Sequence, residues 1–250
     1  DGYYTIEDFV LDDAKRDVWT LKEGVTSIQG VKVQPGDEKF KDFDGDGVIS
    51  SGAGTVSDPG DRKIIGNNRA RFQFGANIGA TYKGFSLDVR LQGVGKRDYW
   101  LSGSSIFPFA GSGSADAVFQ PLFSNQTDYW TAKSYDPENS DYMVAKNPNA
   151  KLFRIYDQGN NVGSNTRVSD KYLQNAAYLR VKNITLGYTL PRHWVKHVLM
   201  ESARIYVSVE NLGTISNLPK GYDPEGNTNN AIVWDYPYYR TISIGANITF

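Results

Sequence analysis

Asp42, Asp44 and Asp46 alternate with single residues and run directly into Gly47 and Val48. Carboxylates at the first, third and fifth places, a glycine at the sixth for the sharp turn and a main-chain carbonyl at the seventh form the opening half of a calcium loop. Ca2+ is a hard cation that gathers about six to eight oxygen ligands. The expected ligand set is the carboxylates of Asp42, Asp44 and Asp46 with the carbonyl of Val48, and Ca2+ is the cofactor they would take. The twelfth place, where a bidentate carboxylate closes such a loop, is Ala53, so Asp58 or Asp61 would have to substitute after a longer Gly/Ser-rich excursion. The same run also reads as a metal-free series of Asx turns, because Asp side chains bond their own backbone.

Other chemistry is sparse. His193 and His197 stand four apart with only Glu201 near as a third ligand, and a polar turn accounts for them better than a metal. No Ser/His/Asp or phosphate-loop arrangement stands out. Asp and Glu are abundant, but spacing alone cannot bring two of them to the roughly 5–9 Å that glycoside hydrolysis requires. The sequence has no cysteine, which removes disulfides, thiol catalysis and cysteine metal sites together. No enzyme is expected.

The elements that must position these groups read as β structure. Of 250 residues, 28 are acidic and 27 basic, a balance that argues against nucleic acid as a partner. Mean hydropathy is -0.47 and no apolar run approaches the ~18 residues of a spanning helix, which leaves a membrane barrel open because its apolar residues alternate. The 25 Gly, 16 Tyr and 12 Phe suit strands and turns. The chain opens Asp1-Gly2-Tyr3-Tyr4 without Met or a signal segment, as a mature chain or a piece of one would.

Period-two alternation marks strands at about 70–82, 85–94, 176–190, 203–212 and 240–250. Lys83-Gly84 predicts a tight hairpin between the first two. In the third, Ile184, Leu186 and Tyr188 share one parity while Leu179 and Val181 take the other, which predicts a bulge near Asn183 or a segment leaving the bilayer. Residues 191–199 predict a short amphipathic helical turn. The rest, 1–69, 95–175 and 213–239, reads as loop, so long and short connections alternate as in outer-membrane barrels. Ten residues of strand, tilted by about 40°, span about 25 Å, the height of such a barrel's apolar band. A soluble β-sandwich also has one apolar strand face, and period two alone does not separate the two. Arg71, Asp88, Arg90 and Glu210 fall on the polar face, where ionic pairs across strands are ordinary. Tyr82, Phe85, Tyr188, Trp194 and Phe250 cluster near the short turns as an aromatic girdle would. Tyr99, Trp100, Phe107, Phe109, Tyr129, Trp130, Trp234, Tyr236, Tyr238 and Tyr239 lie in the long loops, available to stack on sugars, to pack under a partner or to fill the loops' own small cores.

The segment Ser169-Asp170-Lys171-Tyr172-Leu173-Gln174-Asn175-Ala176-Ala177-Tyr178-Leu179-Arg180-Val181-Lys182-Asn183-Ile184-Thr185-Leu186-Gly187-Tyr188-Thr189-Leu190-Pro191 resembles the C-terminal barrel of SusC-like (SusC/RagA family) TonB-dependent outer-membrane transporters. So do Lys41 to Ile49 followed by Asp61 to Asn67, Tyr82-Lys83-Gly84-Phe85, Ser208-Val209-Glu210-Asn211-Leu212, and Tyr239 to Phe250, all in family order. The closing Ser243-x-Gly245-x-x-Ile248-x-Phe250 is similar to the signal read by the barrel-assembly machinery. The resemblance implies an all-β fold, about five strands of a 22-stranded antiparallel transmembrane barrel with long extracellular loops. It further implies a location in the cell outer membrane, in contact with its lipid, and import of glycan oligosaccharides or peptides. A SusD-like lipoprotein would act as the lid, and TonB would engage through an N-terminal part absent from these residues. The remaining barrel and plug would belong to the same transporter. Strand 71–82 would then pair with a preceding strand and 241–250 with the barrel's first, since a lipid-exposed edge leaves N–H and C=O groups unpaired. Two other readings stay open: a passive outer-membrane channel or adhesin barrel, and a soluble calcium-dependent carbohydrate-binding β domain.

Overall fold

The structure is a computed structural model that describes residues 2–12, 15–103, 106–108, 122–156, 160–226 and 238–250, with the backbone alone at 12, 15–19 and 160–162. Phe109, Trp234 and Tyr236 lie outside the described residues. The chain divides into two compact units, residues 1–65 with 101–170 and residues 66–100 with 171–250.

In the first unit, β1 (Phe9–Asp12) pairs antiparallel with β2 (Lys15–Leu21), and β3 (Ser27–Ile28) pairs in parallel with β4 (Val48–Ile49). These ladders are too short to carry a readable period. What holds the unit is a core of Tyr4, Phe9, Ile28, Val33, Ile49, Trp130 and Met143. The buried Asp37 ties its segments together: its carboxylate accepts from the Gln34 N–H at 2.8 Å, the Tyr156 hydroxyl at 2.7 Å and the Asn165 amide at 2.7 Å. Asn165, at the end of α1 (Asn160–Asn165), in turn accepts from the Glu38 N–H at 2.7 Å. A buried carboxylate persists only with such donors around it.

Gly36 is where this core admits no side chain. Its φ is +93°, and a Cβ there would stand 2.6 Å from Trp130 Cε3 and 2.7 Å from Arg154 Cβ. Gly36→Ala is therefore expected to destabilise the unit by about 1–3 kcal/mol or more, through overpacking and a left-handed backbone unsuited to alanine. Faster hydrogen exchange of the amides around Trp130 and Leu152 is the readout; unchanged protection would contradict the packing.

The second unit is built on a five-stranded antiparallel sheet. Its strands are β5 (Gln73–Tyr82), β6 (Phe85–Val94), β9 (Tyr178–Thr189), β10 (Ser202–Ser216) and β11 (Thr241–Thr249), in the spatial order β11-β10-β9-β6-β5. A small ladder of β7 (Asp98–Trp100) with β8 (Leu173–Asn175) accompanies it. The expected five-stranded antiparallel arrangement is present; the sheet is open, with β5 and β11 as its edges. Lys83 and Gly84 both take positive φ, 48° and 88°, which matches a two-residue turn whose twist suits the flanking strands. The 190–201 connection holds α2 (Arg192–Val195) and a further 3-10 turn at Lys196–Val198, closed by Leu199 at φ 61°.

Register explains the parity change in β9. Arg90 pairs with Asn183 but Leu91 pairs with Val181, so Lys182 is an extra residue bulged between them. Below the bulge Ile184, Leu186 and Tyr188 face one side; above it Val181 and Leu179 rejoin that same side. Opposite the bulge, β10 skips from Glu210 to Gly213, with Asn211 at φ 51°. One continuous apolar face results, on which Ile78, Val89, Ile184, Val209 and Ile242 lie in one cross-strand row. That face is bare: Ile244 is 78% exposed, Ile242 67%, Ile78 56% and Leu186 52%. A sandwich would bury such a row, and an exposed aliphatic surface of this extent marks contact with something other than water.

The ends of the sheet differ as well. Val94, Tyr178 and Ser216 share one end by register, together with the start of β5, so residues 1–72, 95–177 and 217–240 all join the sheet there. The 83–84 turn and the 190–201 connection close the other end. At that short-turn end Phe85 packs on Tyr188 with ring centroids 4.6 Å apart, and Tyr82, Trp194 and Phe250 are largely exposed.

Candidate functional site

The polar face of the sheet is where side chains converge. Small residues make room there. A Cβ on Gly187 would meet Arg204 Nε at 2.6 Å, and one on Gly245 would collide with the Tyr206 ring, so Arg204 and Tyr206 lie flat across neighbouring strands. Arg204 Nη2 donates to Ser86 Oγ at 2.7 Å and stands 3.9 Å from Asp88. Asn183 Nδ2 donates to Ser208 Oγ at 2.8 Å, and Arg90 Nε to Asn77 Oδ1 at 3.3 Å. Glu210 and Arg90 line a cavity of about 500 Å³ with Gln92, Lys182, Asn183 and Asn211. Arg71, the remaining sequence candidate on this face, donates its backbone N–H to the Lys96 carbonyl at 3.0 Å.

The most extensive ionic cluster among the described residues was not legible in the sequence. Arg180, 2% exposed at the long-loop end of β9, lies 2.5 Å from Asp223 Oδ2 and 3.0 Å from Glu225 Oε2, and its Nε donates to Thr214 Oγ1 at 2.7 Å. Lys182 Nζ reaches the same Glu225 oxygen at 2.6 Å. The Tyr238 ring receives both cations, with its centroid 4.8 Å from the Arg180 guanidinium and 5.7 Å from Lys182 Nζ. Arg97 and Tyr99 complete the arrangement: Arg97 Nη1 donates to the Pro224 carbonyl at 3.1 Å and Tyr99 Oη to the Gly226 carbonyl at 3.3 Å. Two cations in a strand, 43 residues from an Asp-Pro-Glu run, form no local pattern. Only the bulge at Lys182 hinted that this end of β9 does something besides pair.

In the first unit, the carboxylates of Asp42, Asp44 and Asp46 offer ligand atoms that all lie within 4.8 Å of one another, close enough to share one metal ion. Each also fastens the loop. Asp42 accepts from Gly45 N–H at 2.6 Å and Gly47 N–H at 2.9 Å, Asp44 from Asp46 N–H at 3.2 Å, and Asp46 from Val48 N–H at 2.7 Å. The Gly45 and Gly47 N–H groups hold the Asp42 pKa below its ordinary value. On Asp44 the Asp46 N–H acts the same way, but desolvation and the charges of Asp46, Asp61 and Asp42 outweigh it and raise the pKa. Three carboxylates gathered this closely repel one another, and a divalent cation would relieve that repulsion.

Asp61, a sequence candidate for a closing ligand, instead bridges the base of the loop, accepting from Phe43 N–H and Ser50 N–H at 2.8 Å each. Asp58 caps Ala53 N–H at 2.9 Å. Both are spent on backbone, though each oxygen retains a further lone pair. Asp42, Asp44 and Asp46 are the one group of three or more His, Asp or Glu side chains so gathered among the described residues, so His193, His197 and Glu201 are not brought together as a metal site. The His193 ring meets Trp194 edge-on at 5.9 Å.

No family model matches the chain. It is 29% identical over 243 residues to TonB-dependent receptor P3 of Formosa agariphila, covering 91% of this chain and 20% of that protein. It is 26% identical over 215 residues to TonB-dependent receptor SusC of Bacteroides thetaiotaomicron, covering 86% and 18%. Among solved structures it is similar to the RagAB peptide importer in the 'closed-closed' state, with a TM-score of 0.48, 23% identity, and coverage of 71% of this chain and 17% of that one. The chain spans about a fifth of the length of the curated relatives it matches. TonB-dependent receptors reside in the outer membrane, and as transporters they are not enzymes. Over most of its length this chain is homologous to SusC/RagA-type TonB-dependent receptors.

Proposed function

We propose that the chain forms part of an outer-membrane importer of glycan oligosaccharides or peptides, driven through TonB and working with a SusD-like surface lipoprotein as lid. The observation that supports it is the asymmetry of the sheet: one bare apolar face, one polar face, short turns at one end and long connections at the other. On this reading the apolar face meets lipid, the polar face lines the water-filled interior, and the long connections are extracellular. β5 and β11 pair with strands of the same barrel outside these residues. The plug and the contact with TonB likewise lie outside them, and the lid rests on the long connections.

Deleting a stretch from 95–175 or from 213–239 in the full-length protein is expected to reduce copurification of the lipoprotein at least severalfold while membrane insertion persists. Undiminished copurification after a deletion in each long connection, taken in turn, would refute the lid contact.

We further propose that the 42–48 loop binds Ca2+ through Asp42, Asp44, Asp46 and the Val48 carbonyl, pinning the loop rather than taking part in transport. Ca2+ is expected to slow hydrogen exchange at Gly45, Gly47 and Val48. Asp44→Asn should weaken that protection about tenfold in Ca2+ concentration, since it removes one of three charged ligands. Equal exchange with Ca2+ and with chelator would reject the ion.

A further inference from the structure

The Arg180 cluster has the features of a recognition site. Four consecutive residues, Asp223-Pro224-Glu225-Gly226, are each gripped by side chains of β9, of β7 and of Arg97 in the link between β6 and β7. Arg180 holds the Asp223 carboxylate, while Arg180 and Lys182 together hold that of Glu225. Arg97 and Tyr99 hold the main-chain carbonyls of Pro224 and Gly226. Side chains and backbone are gripped alternately around a tight acidic turn, in which the Gly226 N–H donates to the Asp223 carbonyl at 3.0 Å and the Glu225 N–H to Asp223 Oδ1 at 2.8 Å. Charge is matched two against two, with the Tyr238 ring laid over both cations.

The surroundings leave room for exchange. A cavity of about 630 Å³, polar and open, has Gln92, Arg97, Tyr178, Glu225 and Tyr238 among its walls. Gln92 is also a wall of the 500 Å³ cavity beside Lys182 and Arg90, so space continues from the cluster along the polar face.

We propose that Arg97, Tyr99, Arg180 and Lys182 form a binding site for acidic peptides, and that Asp223–Gly226 is its internal occupant, a strap that blocks the site until displaced. The proposal rests on the polar face being the water-filled side of the barrel and on nothing else in the functional reading. Tethering gives the strap an effective concentration of about millimolar, so a free peptide competes only near that level while the strap is intact.

The test uses the full-length protein in phospholipid vesicles and the capped tetrapeptide Asp-Pro-Glu-Gly as probe, with Asn-Pro-Gln-Gly as control. In the unaltered protein, millimolar probe is expected to speed hydrogen exchange at the amides of 220–226 severalfold, and the control peptide to leave it unchanged. In the Asp223→Ala/Glu225→Ala protein those amides lose protection without probe, and the probe binds at least tenfold more tightly than to the unaltered protein. Adding Arg180→Ala to that variant abolishes the gain. Exchange indifferent to millimolar probe in the unaltered protein would overturn the proposal, and that measurement needs no variant to fold. Equal response to both peptides, or a strapless variant that binds the probe no better, would overturn it too. Cofractionation of the protein with outer membranes, scored separately, reports on the importer reading, so the two fail independently.

Discussion

Arg180→Ala is expected to destabilise the long-loop end of the sheet by about 3 kcal/mol, the lower end of what removing one partner of a buried ion pair costs. The reason is asymmetry. The guanidinium is almost fully buried, hydrogen-bonds Asp223 and Thr214 and stands 3.0 Å from Glu225; its loss removes the ion pair of two carboxylates, of which the Glu225 side chain is 10% exposed and the Asp223 side chain 24%. Lys182 remains on Glu225 and limits the damage. Lys182→Ala, by contrast, should cost less than half as much, because Arg180 still holds both anions. Urea titration followed by hydrogen exchange at 214–226 and at Tyr178–Val181 measures both variants in the same segment. Equal costs, or none for Arg180→Ala, would mean that the cluster is solvated and contributes as a surface pair does, about 0–1 kcal/mol.

The second large effect separates the two faces of the sheet. Ile244 stands on the apolar face near the centre of β11, with Ser243 beside it pointing to the polar side. If the apolar face meets lipid, Ile244→Arg at that depth costs about 2–4 kcal/mol, while an arginine in place of Ser243 enters water and costs under about 1 kcal/mol. Unfolding free energies in phospholipid vesicles are the measurement. Equal costs for the two substitutions would show that both faces see the same medium, and the transmembrane reading would fall with that result.

Much of the sheet was legible because strand periodicity is a local property. Alternation from Gln73 to Tyr82, from Phe85 to Val94 and from Thr241 to Thr249 follows from every second side chain sharing an environment, and no distant contact is needed to read it. The Lys83-Gly84 turn was legible for the same reason, since a glycine between two alternating runs supplies the positive φ that a two-residue turn requires. Even the bulge announced itself, as a change of parity between Val181 and Ile184. The Asp42-Asp44-Asp46 cluster is likewise local, since five residues bent by Gly45 and Gly47 cannot keep their carboxylates far apart.

Tertiary structure alone decided the remainder. Stretches 1–69 and 95–175 read as loops because residues buried in their unit, Tyr4, Val33, Trp130, Met143, come singly from segments too irregular to show a period. The core they share exists only once chain more than 100 residues apart is brought together. Asp37 carries no local mark of burial, because its donors Tyr156 and Asn165 stand more than 100 residues away. Arg180 carries none either. Its burial depends on Asp223 and Glu225, whose approach is set by the path of the 217–226 segment and not by any residue near Arg180. Desolvated charge is stable only where opposite charge arrives in the same space, and sequence separation carries no record of that arrival.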